Sequence, residues 1–458
     1  MKISVLSGSP KGDLSVTLQY VNFIRKKFPT HEFGIHHIGR MIKRIEKDTV
    51  YFDSIIDDIR NSDAVLWAAP LYVLLVPSQC KRFIELVWER GAEDAFAGKY
   101  AGVITTSIHF FDHTAHNYLR SVSEDLGMRF AGAFSPDMYD IMKEDERARL
   151  LLFAEEMFET IARRRPVARE FAPLSPGGFE YTPAPARAAV DPAGKRVLVL
   201  ADGAEKGNLG AMIRRFSGSF AGGVEVADIA ELDMRGGCLG CIKCGFDNIC
   251  AYEGADGYID FYNEKVKKAD LVVFCGEIRD RYLSARWKQF FDRGFFNTHT
   301  PTLAGKQAAF IISGPLRQIP NLREILTAFA EWQNANLVDI VTDEDADSPA
   351  IDGLLSSLAE RMVDAARRGY VRPVGFLGVG GMKVFRDDIW GRLRFAFQAD
   401  HRFYEANGLY DFPQYDEKAI AMNKAMMDLT SNPEMKEKIR KTMRENMVAP
   451  MRHIVETR

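Results

Sequence analysis

A chain of 458 residues, 47% apolar and 27% charged, is long enough for two or three domains and apolar enough to bury full cores. Its 60 Lys and Arg against 63 Asp and Glu leave a net charge of -3, which gives no reason to expect nucleic acid or anionic lipid as a partner. The first residues, Met1 to Ser7, lack the basic start and long apolar run of a signal peptide. The longest apolar stretch, residues 64–77, contains Pro70 and is too short for a bilayer, so a cytoplasmic protein is expected, with its thiols reduced.

Residues 2–6 form a short apolar run, followed at once by Gly8, Ser9 and Pro10 and then by a helical pattern to about Lys27. Further on, an apolar strand at 63–69, a helix from about Pro77 and a strand at 98–105 complete the first set. Six prolines (Pro166, Pro173, Pro176, Pro183, Pro185 and Pro192) then mark an extended linker. The same order starts again with a strand at 195–200, Gly203, Gly207 and a helix, then strands at 270–275 and 305–313 around a helix from about Tyr282. Beyond residue 370, Gly375, Gly378, Gly380 and Gly381 read as a loop leading into a helical, aromatic-rich tail on the second domain. Alternating strands and helices predict a doubly wound parallel sheet, and their recurrence predicts two copies. The expected divisions are a domain at 1–165, a linker at 166–194, a second domain at 195–369 and a C-terminal extension at 370–458.

The segment from Leu6 to Leu18 leaves a strand and opens a helix. A helix N-terminus offers unpaired N–H groups and positive dipole, so it suits phosphate. Gly8 and Gly12 permit close backbone approach, and Ser9, Ser15 and Thr17 supply hydroxyls. The spacing is neither Gly-x-Gly-x-x-Gly nor a Walker loop. Ligands of such sheets sit beyond the carboxyl ends of the strands. There this chain places Pro70, Leu71, Tyr72 and Val73 after one strand and Thr106, Ser107, His109, Phe110 and Phe111 after the next.

These pieces (Gly8-Ser-Pro-Lys with Ser15 and Thr17, the Pro70-Leu-Tyr72 strand end, and Pro77 opening a helix) resemble the NADPH-dependent FMN reductase group of flavodoxin-like proteins. The resemblance covers about 1–165 and, more loosely, 195–368. It implies two tandem flavodoxin-like α/β domains of strand order 2-1-3-4-5 with a helical C-terminal tail. It also implies that Ser9, Lys11, Ser15 and Thr17 hold the FMN phosphate, while Pro70, Leu71, Tyr72 and Val73, with Thr106 and Ser107, line the isoalloxazine ring.

In the second half the equivalent loop, Asp202 to Gly210, has no Ser or Thr and adds Glu205, so loss of the flavin site is expected there. In its place stand Cys238, Cys241, Cys244 and Cys250, spaced Cys-x2-Cys-x2-Cys-x5-Cys on a Gly-rich loop. The run resembles that of iron–sulfur flavoproteins, which implies a [4Fe-4S] cluster. Structural zinc, a redox disulfide and plain buried thiols are the alternatives. Cys80 and Cys275 read as core residues.

Other features carry less. His109, His113 and His116 have no ligand spacing. The charged, aromatic run from Arg279 to Lys288 reads as a solvated helix face, Asp400-His-Arg has no assigned role, and 343–347 reads as a solvated turn. The expected activity is that of an FMN-dependent oxidoreductase linked to NAD(P)H, a small organic acceptor or a ferredoxin-type partner. The two halves are expected to act as a pseudo-dimer within one chain that places residues 238–250 against the rim of Tyr72 and Phe110, with a homo-oligomer also open. A flavodoxin-type electron carrier and a zinc-stabilised binding protein are the competing classes.

Overall fold

The computed structural model describes every residue except 176, 188, 204–206 and 458. Glu205 and Pro176 therefore lie outside the described residues.

Among the described residues, ten strands make two five-stranded, all-parallel sheets. The first contains β1 (Lys2–Ser7), β2 (Glu32–His36), β3 (Ala64–Pro70), β4 (Tyr100–Thr106) and β5 (Arg129–Phe134) in the order β2-β1-β3-β4-β5. The second contains β6 (Val197–Ala201), β7 (Glu225–Asp228), β8 (Leu271–Glu277), β9 (Gln307–Ser313) and β10 (Asn336–Thr342) in the order β10-β9-β8-β6-β7. Read from β7, the second order repeats the first. Central strands covered by helices on both faces bury their side chains up to the carboxyl end, which is why 64–69 of β3 and 271–275 of β8 read as unbroken apolar runs. Ile3, Val5, Leu66 and Ile104 pack under Leu18, Val21 and Ile24 of the helix Val16–Lys27. Val197, Val199, Val273 and Ile311 do the same in the second half under Leu209, Met212 and Phe216.

The halves meet along two equivalent helices, Ser78–Glu89 and Ala285–Gly294. Each carries a lysine and an acid four residues on: Lys81 with Glu85, and Lys288 with Asp292. Glu85 accepts a hydrogen bond from the first amide of the opposite helix, Ala285 N, at 2.7 Å. Asp292 accepts one from Ser78 N at 2.7 Å. Each carboxylate thus sits at the positive end of the other half's helix. Lys81 also reaches Asp280 at 3.0 Å, and Lys288 donates to the Tyr72 carbonyl at 2.7 Å. Both lysines are fully buried. The run from Arg279 to Lys288 is therefore a seam and not a solvated face: Arg281, Trp287 and Lys288 are buried, and Arg281 binds Asp125 at 2.6 Å. Its aromatic and charged groups alternate because one side meets its own sheet and the other meets the first half.

The proline-rich segment is pinned, not free. Arg169 binds Asp125, the amides of Glu170 and Phe171 donate to Glu124, and Tyr181 is buried against Asp352. Gly375, Gly378, Gly380 and Gly381 do not form a loop; apart from Gly375, its N-cap, they lie in the helix Phe376–Trp390. Their lack of side chains serves packing, since a Cβ on Gly381 would stand 2.8 Å from the Phe110 ring. Glu331 accepts from the amides of Gly375 and Gly378, capping that helix. The helix touches both halves, through Phe110 on one side and Glu331 on the other. Asp400, completely buried, accepts from Thr298 Oγ1 at 2.6 Å and from His299 N and Nδ1 at 2.9 and 2.7 Å. Asp343, in the supposed solvated turn, is also buried and accepts from Ser313 and Gly314.

Met1–His401 form one compact unit and Arg402–Arg458 another. In the second, the helices Glu417–Thr430 and Pro433–Thr457 pack against each other and leave Met422, Met427, Met447 and Met451 exposed. Among the described residues no helix is long and apolar enough to cross a membrane.

Candidate functional site

β1 ends at Ser7, and the chain turns through Gly8 and Ser9 into the helix Val16–Lys27. The turn is tight: a Cβ on Gly39 would fall 2.2 Å from the Gly8 carbonyl oxygen, so the next loop can lie on this one only because residue 39 is glycine. Ser15 caps the helix by accepting from Leu18 N at 3.4 Å. Ser9 Oγ accepts from Lys11 N at 3.3 Å, and the hydroxyls of Thr17 and Thr106 share a hydrogen bond of 2.6 Å. Ser9, Ser15, Thr17 and Thr106 are buried. The Thr17–Thr106 bond ties the loop after β1 to the end of β4. The amides of Val16 and Thr17 find no acceptor among the described residues. These are first-turn donors of the kind that bind anions.

Across the sheet end, Pro70 closes β3, Leu71 N donates to the Thr106 carbonyl, and Tyr72 and Leu75 exchange both backbone hydrogen bonds. This turn holds Val73 at φ 36° and Leu74 at φ 66°. His109 and Phe111, after β4, also have positive φ, at 62° and 54°. Left-handed backbone in non-glycine residues, above all β-branched Val73, is strain of the kind concentrated at working sites. Ser107 is held by His109 N at 2.9 Å and bridges to Asp137. His109, His113 and His116 each have a separate partner (Asp112, Glu324 and Thr105) and do not converge.

The second half supplies a wall. Gln79 Nε2 donates to the Cys238 carbonyl at 3.0 Å. Gly240, at φ 61°, lies so close that a Cβ there would be 1.7 Å from Tyr72 Oη and 2.9 Å from Lys11 Cε. Residues 238–240 thus face Tyr72 and Lys11. They do not face Phe110, which packs instead on Trp332 and Phe385. Burial, with Cys238 and Asp292 beside it, holds the Tyr72 phenol well above its ordinary pKa. Its hydroxyl is buried without a partner. Burial lowers the Lys11 ammonium, and the neighbouring Cys238 and Cys241 oppose that shift. Sequence reasoning passed over Gln79, Gly240 and Asp292 and read Lys288 as part of a solvated helix face. The signal for Lys288 and Asp292 was the repeated Lys-x3-acid of the equivalent helices.

The loop after β1 and the Tyr72 turn fit a phosphorylated planar cofactor: open first-turn amides beside a lysine, and a strained aromatic turn with an unpartnered hydroxyl. The cysteines fit a metal centre less well. All six are free thiols. Cys241 is exposed while Cys244 is buried, and burial pushes Cys238 and Cys244 up to about 12. Among the described residues no three or more His, Cys, Asp or Glu side chains are grouped to hold a metal ion. The expected [4Fe-4S] or zinc set of Cys238, Cys241, Cys244 and Cys250 is therefore not assembled in this arrangement.

A second opening lies between the halves, a cavity of about 1090 Å³. It is bordered by Asp202, Asp280 and Arg235 of the second half and by Arg40, Lys43 and Trp88 of the first.

Residues 1–156 match the family model Flavodoxin_2, described as a flavodoxin-like fold. No curated protein matches the chain. Among solved structures, an apo NADH:FMN oxidoreductase (EMOB) is 18% identical with a TM-score of 0.29, covering 34% of this chain and 89% of that one. The NAD(P)H:(acceptor) oxidoreductase FerB from Paracoccus denitrificans is 20% identical with a TM-score of 0.27, over 34% of this chain and 97% of that one. An FMN-dependent NADH-azoreductase from Bacillus anthracis str. Ames Ancestor, in complex with FMN, is 12% identical with a TM-score of 0.26, over 36% and 99%. Residues 1–156 match the flavodoxin-like fold of that family model, and the second sheet repeats their topology.

Proposed function

We propose that this chain is an FMN-dependent oxidoreductase that holds one FMN in its first half and takes electrons from NAD(P)H or a ferredoxin-type donor. The observation that carries this reading is the pair of open amides, Val16 N and Thr17 N, beside Lys11 and opposite the strained Tyr72 turn. Lys11 and the two amides hold the phosphate, with Ser9 and Ser15 shaping the loop around it. Pro70, Leu71, Tyr72 and Val73 flank the ring on one edge, and Thr106 and Ser107 border the other. When bound, FMN supplies the acceptance and release of electrons. The chain's own part is to bind, to orient and to exclude water. Gly240 lets the second half close on Tyr72, and Lys288 fixes the Tyr72 carbonyl from across the seam. No step is assigned to the cysteines, which serve here as part of that wall.

The test uses the full chain. FMN titration followed by flavin fluorescence is expected to saturate at one per chain, and NAD(P)H added without oxygen is expected to bleach the bound flavin repeatedly when an organic acceptor is supplied. Binding without turnover, and exchange only with a ferredoxin-type protein, would make it an electron carrier. No FMN binding would overturn the reading.

A further inference from the structure

The cavity between the halves belongs to the second half's own switch point. Asp202 follows β6 and Asp280 follows β8, so the opening sits where the first half holds its phosphate loop and Tyr72 turn. None of the residues assigned to the flavin phosphate or ring borders it, but it adjoins that site: Gly39 beside the phosphate loop and Gln79 and Leu239 of the wall facing Tyr72 all line it.

Its lining carries six cations against five acids. The carboxylates on its wall are all engaged: Glu46, Glu85 and Glu89 with Arg82, Asp202 with Arg286, and Asp280 with Lys81. Arg40, Lys43 and Arg235 have no carboxylate partner among the described residues, yet all three line the same space. Lys43 also reaches the loop that carries Arg235: a Cβ on Gly236 would lie 3.5 Å from Lys43 Nζ. An incoming ligand therefore meets paired acids and unpaired cations. Trp88, Leu232 and Met234 add an apolar wall. The volume is far beyond what a bare anion needs and is of the size that encloses a small organic ligand.

We propose that this cavity is a second binding site, for a phosphorylated nucleotide, with Arg40, Lys43 and Arg235 on the phosphates and the Trp88 wall against the base. In the first half, phosphate recognition comes from backbone amides at a helix start. In the second, Asp202 occupies the strand end and is bound to Arg286 and Ser284. Recognition passes to side chains, two from the first half and one from the loop that leads to Cys238. Arginine and lysine ammonium or guanidinium donors suit phosphate oxygens for the same reason in either half: charge-assisted bonds are the strong ones.

The experiment is calorimetric titration of the full chain with ADP, inorganic phosphate and adenosine, each with and without saturating FMN, so that failure of the flavin reading leaves this one testable. ADP is expected to bind once per chain whether or not FMN is present. Affinity should fall at least about tenfold in a Lys43→Ser/Arg235→Ser variant, and similarly in Lys43→Glu, since each lost charged hydrogen bond is of that order. Both positions are exposed, and thermal melts of the variants confirm that they fold. Absence of ADP binding, equal affinity in wild type and both variants, displacement of ADP by FMN alone, or inorganic phosphate or adenosine binding as tightly as ADP would each overturn it.

Discussion

Gly240→Ala tests whether the second half forms part of the flavin site. Residue 240 is held at φ 61°, where alanine costs about 1 kcal/mol more than glycine. That cost falls on stability alone. The new methyl adds a second effect, because it would stand 1.7 Å from Tyr72 Oη and 2.9 Å from Lys11 Cε. Tyr72 must retreat by well over an ångström, or the cysteine loop must lift and lose the Gln79 bond to the Cys238 carbonyl. Either way the aromatic flank of the flavin is displaced. A well-placed aromatic contact is worth roughly 0.5–1.5 kcal/mol, so the dissociation constant for FMN should rise about threefold to tenfold. Gly254→Ala is the control: its φ is 68°, and nothing lies within 4 Å of the added methyl. Both variants should lose the backbone cost of about 1 kcal/mol in thermal melts, and Gly240→Ala more, because of its clash with Tyr72. Only Gly240→Ala should weaken FMN in a fluorescence titration. Equal FMN affinity in the two variants would refute the claim that residues 238–240 wall the site.

Three further outcomes follow from buried charge and thiol chemistry. Lys288→Met strands Asp292 in the seam and should destabilise the chain by about 3–5 kcal/mol in urea denaturation, whereas Lys288→Met/Asp292→Leu should cost much less. Native alkylation should label exposed Cys241 first, and labelling of Cys238 and Cys244 should keep accelerating toward their values of about 12; a chelator that changes this order would show a bound metal. For Asp58, burial raises the carboxyl, but hydrogen bonds from Lys2, His36 and Ser4 outweigh it and hold it down at about 2. A depressed carboxyl stabilises the fold above its unfolded value and loses that contribution as pH falls through the folded one. Stability should therefore decline between about 3.8 and about 2, and Asp58→Asn should flatten that decline in acid-titrated melts.

The parallel sheets were legible because buried segments such as 64–69 and 271–275 are unbroken apolar runs, and because each is followed by a helix with one apolar face. The loop after β1 was legible from Gly8, Ser9 and Ser15, since helix-start chemistry is local. Gly375 to Gly381 misled, because glycine breaks helices by propensity yet here permits close packing on Phe110 and Glu331. Asp400 gave no signal, since its partners Thr298 and His299 lie a hundred residues away.

By itself the sequence determined the elements, their order, their duplication and the divergence of the two strand-end loops: hydroxyls in one, carboxylates and cysteines in the other. All of these rest on interactions within a few residues of chain. Only the tertiary structure decided that Lys81 and Lys288 are buried at a shared seam, that the cysteine loop faces Lys11 with Tyr72 and not Phe110, and that Arg40, Lys43 and Arg235 share one cavity. These depend on how one half docks on the other. Docking is set by charges and helix ends that pair across some 200 residues, and the periodicity of a single segment carries no record of a partner so distant.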